Sequence, residues 1–277
     1  MWTLSAFADE IDAELNVQLQ TLESQGIRHL DLRGIWRKNV VRLTREELNT
    51  AKAALDARGI RVAAIASPIG KIGIGDDFTA HLEDFRQALR TAALFGTRFV
   101  RVFSFYIPTG KDPADYRDRV LSRMETMVRL AEAAGVVLIH ENEKNIYGDV
   151  PERCLDILST IHSPALRAAW DPANFVQCGV RPFTEGWQAL EPYVAYIHVK
   201  DARFENGRVV LPGNGDGQWP QTLHALRRSG FDGFFAIEPH LESSNAYGGF
   251  SGPERFGKAV AAFYELVRNE GMVPQLA

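Results

Sequence analysis

Four ionisable residues close four successive apolar runs in the second half of the chain. They are Glu141 after Val136–Ile139, Asp171 after Ala168–Trp170, His198 in the run Ala195–Lys200, and Glu238 after Phe234–Ile237. A charged side chain at the tip of a buried strand is costly unless it is paired or bound to a metal. If the four runs are consecutive strands their tips converge, and three carboxylates brought together repel one another; a divalent cation is the simplest remedy. Three oxygen donors and one imidazole make a hard-to-borderline site, suited to manganese, magnesium or cobalt more than to a structural zinc. Each residue also has a plainer reading: Asp171-Pro172 is a common turn opener, and a lone histidine in an apolar run is commonly a core residue. The expectation of a metal site rests on the four occurring together.

Glu143 competes with Glu141, because residues two apart on a strand share a face. Glu141 is preferred as the one nearer the end of the apolar run, with Glu143 expected in the following loop beside Lys144 and Tyr147. Lys200, Arg203, Arg33 and His240 are candidates for gripping substrate hydroxyls, carboxylate or phosphate. Surface solvation or a supporting salt bridge is an equal expectation for Arg33 and Arg203.

The elements that must position these groups repeat from end to end. Short β-rich runs at Thr3–Ala8, His29–Arg33, Arg61–Ser67, Phe99–Phe105, Val136–Glu141, Ala168–Asp171, Ala195–Lys200 and Phe234–Glu238 alternate with amphipathic stretches near 12–25, 44–58, 78–96, 113–134, 150–161, 184–191, 218–229 and 252–269. Gly26, Gly59, Gly96, Gly135 and Gly230 close helices shortly before the next strand. About eight strands in strict alternation with about eight helices is the arithmetic of a closed (β/α)8 TIM barrel. An open doubly wound sheet would call for a glycine-rich first βα turn, and Phe7–Asp12 contains no glycine. With no linker or low-complexity stretch, residues 1–277 are expected to form one domain. Segments leaving the strands are polar and chemically rich, while those entering them are short and bland. In a barrel this places the chemistry at the C-terminal face.

Composition narrows the function. The formal net charge of −4 and the lack of a basic stripe argue against a nucleic-acid partner. Two distant cysteines, Cys154 and Cys178, match no zinc spacing and point to reduced thiols. The N-terminal residues lack a secretory pattern and no apolar run approaches the ~20 residues of a membrane span, so a cytoplasmic protein without a membrane partner is expected. The segment Pro212–Trp219 holds three glycines that allow close backbone approach, as in a phosphate or hydroxyl clamp. A plain turn with Asp216 near the N-cap of the next helix is the favoured role.

The runs Leu138–Glu143, Trp170–Phe175, Tyr196–Asp201 and Ala236–His240, with Ser5–Ile11 and Leu30–Arg33, resemble the xylose isomerase-like barrels. More narrowly, they resemble the sugar phosphate isomerase/epimerase group, over nearly the whole chain. That superfamily also holds hydroxypyruvate isomerases, dehydratases and a DNA repair nuclease, so the resemblance is specific for fold and not for substrate. It implies metal binding by Glu141, Asp171, His198 and Glu238, with Glu141 and Glu238 also exchanging protons with substrate. Epimerases of the group often carry a substrate-binding histidine three residues after the metal aspartate; here that position is Asn174, which hydrogen-bonds but does not titrate near neutrality.

The resulting expectation is an isomerase or epimerase of a small polyhydroxy compound (a sugar, sugar phosphate or keto-polyol). It would use a divalent metal, manganese first, with magnesium, cobalt or zinc as alternatives, and work through a metal-stabilised enediolate. A metal-dependent dehydratase of the inosose or dehydroshikimate type on the same scaffold is the alternative, and a non-catalytic sugar-binding barrel a more remote one. Oligomeric state stays open, a homo-oligomer joined through the outer helices among the options.

Overall fold

The computed structural model describes residues 2–243 and 249–271. Eight parallel strands form its centre: β1 (Thr3–Ala6), β2 (His29–Leu32), β3 (Arg61–Ile65), β4 (Phe99–Val102), β5 (Val137–Glu141), β6 (Leu166–Trp170), β7 (Val194–Val199) and β8 (Phe234–Ile237). Hydrogen bonding runs in sequence order from β2 to β8 and returns from β8 to β1, the pairing Ser5↔Ala236 closing the curve. β1 and β2 lie side by side at the seam, where Ser5 Oγ donates to Asp31 Oδ2 at 2.5 Å. Each predicted strand is present, and the chain is a single (β/α)8 barrel.

Helices α1 (Leu15–Ser24), α2 (Arg45–Ala57), α3 (Phe78–Phe95), α4 (Arg117–Ala133), α5 (Pro151–Ile161), α6 (Pro172–Gln177), α7 (Trp219–Ser229) and α8 (Gly252–Asn269) surround the strands. Their ends are set locally. Thr44 and Glu47 cap each other's backbone at the start of α2 in a reciprocal box. Asp77 accepts from Thr79 and Ala80 at the start of α3, and Gly96, at φ 70°, ends it in the left-handed region.

Two local readings change. Asp171-Pro172, for which a turn opener is the plainer alternative to a ligand, starts α6: Asp171 is the N-cap, its side chain accepting from Asn174 N, and Pro172 fills the first position, where its missing N–H costs nothing. The helix expected over 184–191 is instead a π-helical turn, Pro182–Trp187, running into the short helix Gln188–Leu190. No helix among the described residues is long and apolar enough to cross a membrane.

Inside the barrel, side chains of alternate residues stack in layers. The lower layers are apolar and aromatic, with Phe99, Tyr196 and Phe234 ring to ring at 5.5–6.3 Å between centroids. Asp31, at the seam, is held there by the hydroxyls of Ser5 and Tyr196. Above this plug, the inward positions at the strand ends are almost all charged.

Candidate active site

Glu141 ends β5, Asp171 follows β6, His198 lies near the end of β7 and Glu238 follows β8, so all four point into the mouth of the barrel. Each is at most 2% exposed. Each can offer one ligand atom such that all four atoms lie within 4.8 Å of one another. His198 Nδ1 stands 3.4 Å from Glu141 Oε2 and 3.6 Å from Glu238 Oε2, which places the two glutamates on either side of one imidazole nitrogen.

Three permanent cations share this layer. Lys200 Nζ lies 2.6 Å from Asp171 Oδ2 and 3.7 Å from Glu238 Oε2. Arg33 donates to Glu238 Oε1 at 2.8 Å and to Asp9 Oδ2 at 2.7 Å. Arg101, on β4, donates to Glu141 Oε2 at 2.9 Å and lies 3.7 Å from Glu238 Oε1. Its guanidinium sits 5.0 Å from the ring centres of both Phe7 and Phe103, and it also donates to the Ala66 and Ser67 carbonyls. The sequence reading missed Arg101. The available signal was an arginine inside the apolar run Phe99–Phe103, on the same face as Phe99.

The charges do not balance. Five carboxylates, Asp9, Glu10, Glu141, Asp171 and Glu238, face the cations Arg33, Arg101 and Lys200, leaving two negative charges in excess when all are ionised. The protonation preferences show the conflict. Burial pushes Glu141 up, but His198 and Arg101 outweigh it and hold the carboxyl well below its usual range. Burial likewise raises Glu238, yet Lys200 and its neighbours bring it down to about 2. Asp171 goes the other way: burial, helped by Glu141 and Glu238, overrides Lys200 and lifts it to about 6. Glu10 is lifted by burial to about 8 against the pull of Arg33. His198 is raised, the glutamates outweighing burial.

This donor set fits a divalent cation. Both ring nitrogens of His198 are buried without a hydrogen-bond partner, and Glu238 Oε2 accepts none. Asp171 has one oxygen on the Asn174 amide and turns the other towards Lys200 and the cluster. The surplus of carboxylates over permanent cations is of the sign such an ion relieves.

The other predicted residues divide. Glu143 is outside the cluster, its carboxylate 3.0 Å from Lys71 Nζ, which itself lies over the Phe103 ring. Lys144 is half exposed and donates to Gln177. The Asn174 amide is buried and committed to Glu141 Oε1 at 3.1 Å and the Asn142 carbonyl at 2.9 Å. His240 stands at the edge, 3.1 Å from Glu10 Oε1 and 3.5 Å from Glu238 Oε1. Arg203 is exposed on a small hairpin, and among described residues its side chain makes no hydrogen bond or ion pair.

The glycine-rich segment after β7 already serves an internal anion. Asp201 accepts from the amides of Gly213, Gly215, Gly217 and Ala202 at 2.9–3.0 Å. The amides that made a phosphate clamp conceivable therefore bind a carboxylate of the same chain. Asp216 is not a cap: it accepts from Phe204 N, and Gln218 is the N-cap of α7. Asp201→Ala strands these amides in a largely buried place and is expected to cost about 3 kcal/mol or more, read by urea denaturation. A loss under about 0.5 kcal/mol would show that water replaces the carboxylate.

Comparison with known proteins agrees with this architecture. Residues 19–266 match the family model described as the xylose isomerase-like TIM barrel. An uncharacterised Methanocaldococcus jannaschii protein is 26% identical over 163 residues, which is 57% of this chain and 56% of that protein, so the chain spans little more than half of that relative. Among solved structures, a D-tagatose 3-epimerase-like protein superposes with a TM-score of 0.78 at 16% identity, covering 98% of both chains. A probable 3-DHS dehydratase from Bacillus anthracis gives 0.74 at 17%, covering 95% of this chain and 98% of the other. The IolI protein carrying a zinc atom gives 0.74 at 14%, covering 97% of both. At these identities the structural likeness is one of fold, whereas the family match spans most of the sequence, and the chain belongs to the xylose isomerase-like TIM-barrel family.

Proposed function

We propose that the chain is a divalent-metal-dependent isomerase or epimerase of a small sugar, sugar phosphate or keto-polyol, working by proton transfer next to a carbonyl. The observation that carries this reading is the pair of buried glutamates, Glu141 and Glu238, flanking one nitrogen of His198 beside Asp171. A binding protein has no need of two opposed buried carboxylates, whereas proton removal and return need two such groups.

Glu141, Asp171, His198 and Glu238 would hold the ion, and the oxygen-rich set favours manganese or magnesium. When bound, it supplies Lewis-acid polarisation of a substrate carbonyl and the adjacent hydroxyl. One glutamate takes the proton and the other returns it, at the opposite face or the neighbouring carbon. Arg101 and Asn174 fix the two oxygens of Glu141, and Arg33 fixes one oxygen of Glu238. Each carboxylate is thus oriented before substrate arrives. Lys200 is placed to donate to a substrate oxygen.

The dehydratase reading is favoured by one feature, the buried Lys200 ammonium 3.7 Å from Glu238, which is suited to assist a leaving hydroxyl; the fold likeness to the Bacillus anthracis protein agrees with it. The discriminating experiment incubates the manganese-loaded protein in deuterium oxide with a panel of ketoses, ketose phosphates and keto-polyols. Deuterium in an isomeric product supports the isomerase or epimerase, and loss of water supports the dehydratase. Tight sugar binding with no exchange anywhere in the panel would leave the non-catalytic barrel.

Metal affinity is expected to fall with pH. Asp171, lifted to about 6, and His198, raised above its ordinary value, must both lose a proton before they can ligate. Titration calorimetry with manganese should show weakening by more than about tenfold per pH unit below pH ~6, and constant affinity above the His198 transition. An affinity unchanged between pH 5 and pH 8 would remove both residues from the ligand set.

A further inference from the structure

At the opposite end of the barrel, where the strands begin, a cavity of about 270 Å³ opens between the starts of β2, β3, β4 and β8. Its inner wall is Phe99 and Phe234, the underside of the aromatic plug. Its rim carries Arg61, Arg98 and Lys52 together with one carboxylate, Asp56. Lys52 and Asp56 pair with each other at 2.9 Å across one helical turn and cancel. The guanidinium groups of Arg61 and Arg98 are exposed and make no hydrogen bond or ion pair with any described residue. His29 also lines the cavity, and its Nδ1 is buried without a partner. Two arginines without a hydrogen bond or ion pair, the guanidinium of Arg98 lying 4.8 Å over the Phe99 ring, present donors and two positive charges to whatever enters, with the His29 ring in the wall beside them.

We propose that this floor cavity is a binding site for a compact phosphate monoester, the dianion lying between Arg61 and Arg98 beside the His29 ring and the organic group against Phe99 and Phe234. Charge matches, since a phosphate monoester carries close to two negative charges near pH 7. Planar guanidinium forks suit phosphate oxygens. Volume limits the ligand: about 270 Å³ lies below the usual range for larger organic ligands. The site is independent of the chemistry at the mouth, since Phe99, Tyr196 and Phe234 fill the lumen between the two ends.

Phenyl phosphate, inorganic phosphate and phenol are the probes, titrated at pH 7.5 by calorimetry and followed through the imidazole proton signals of His29, assigned with His29→Gln. One phenyl phosphate per chain is expected, bound more tightly than inorganic phosphate and much more tightly than phenol, with His29 signals shifting along the same isotherm. The double variant Arg61→Ser/Arg98→Ser removes two exposed side chains and should weaken phenyl phosphate by at least about tenfold, with an unchanged melting temperature. Lys200→Gln at the mouth should leave the affinity unchanged. The proposal is overturned by an absence of saturable binding, by phenol binding as well as its phosphate, or by binding that shifts no His29 signal and survives the double variant.

Discussion

Glu238→Gln should lower the rate of solvent deuterium exchange into substrate by about 10³-fold, within the range that general acid–base groups contribute. The amide keeps the shape and still accepts from Arg33, which now donates to Glu238 Oε1 at 2.8 Å, so the fold should survive. What is lost is the basic oxygen, Oε2, the one with no hydrogen-bond partner, standing 3.6 Å from His198 Nδ1. Loss of a ligand charge also weakens metal binding, so the comparison belongs at saturating manganese, with bound metal measured in the same samples. The parallel variant Glu141→Gln should fall by a similar factor, and the two together by much less than the product, because both serve one proton relay. Exchange within tenfold of wild type in metal-loaded Glu238→Gln would take Glu238 out of the proton transfer and leave it as a ligand.

The largest expected effect on stability comes from Gly70→Ala. Gly70 sits at φ 93°, and a Cβ there would interpenetrate the backbone carbonyl of Phe103. Both faults fall on backbone, which has no flexible end to move aside. The loop after β3 is laced to the segment after β4 through Phe103 N to Ile69 O at 2.7 Å and Phe105 N to Gly70 O at 3.1 Å. His81 accepts from Gly70 N at 2.8 Å. A loss above about 4 kcal/mol is expected, seen as a melting temperature lower by roughly 10 °C or more or as insoluble protein. Gly75→Ala, in the same loop with open space around the position, is the control and should stay within about 0.5 kcal/mol of wild type. The same lacing supports Arg101 through the Ala66 and Ser67 carbonyls, so any Gly70→Ala protein that does fold should also lose metal affinity. If Gly70→Ala melts with Gly75→Ala, the segment after β4 is free to retreat and the loop does not fix Arg101.

Much of this architecture could be read directly from the sequence, for a physical reason. Strand and helix periods differ, helix stops carry glycine, and ligand-type residues at strand ends are too costly to be decoration; Glu141, Asp171, His198 and Glu238 were therefore visible as a set. Arg101 was not read, because its reason for being buried is Glu141, forty positions on, and an arginine inside an apolar run marks a buried charge without naming its partner. The six-residue α6 is too short for a period to emerge, and Asp171-Pro172 opens turns as readily as helices. Asn174 could be read as a hydrogen-bonding residue, but not that its amide is committed to Glu141. The glycines after β7 gave the same uncertainty: composition announces amides free to bind an anion and cannot say that Asp201 of the same chain is the anion.

The layering of the lumen has an electrostatic consequence. A charged stratum in which carboxylates outnumber permanent cations rests on an aromatic plug of low dielectric, with Phe99, Tyr196 and Phe234 filling the space beneath. Field lines from that excess are poorly screened downward and emerge through the mouth, where water and ions begin. A cation diffusing past the C-terminal face is drawn in by a focused potential, while an anionic substrate is repelled until the ion has been captured. Under the metal-dependent function proposed above, this builds in an order of arrival, metal first and substrate second, with the metal on-rate falling as ionic strength rises.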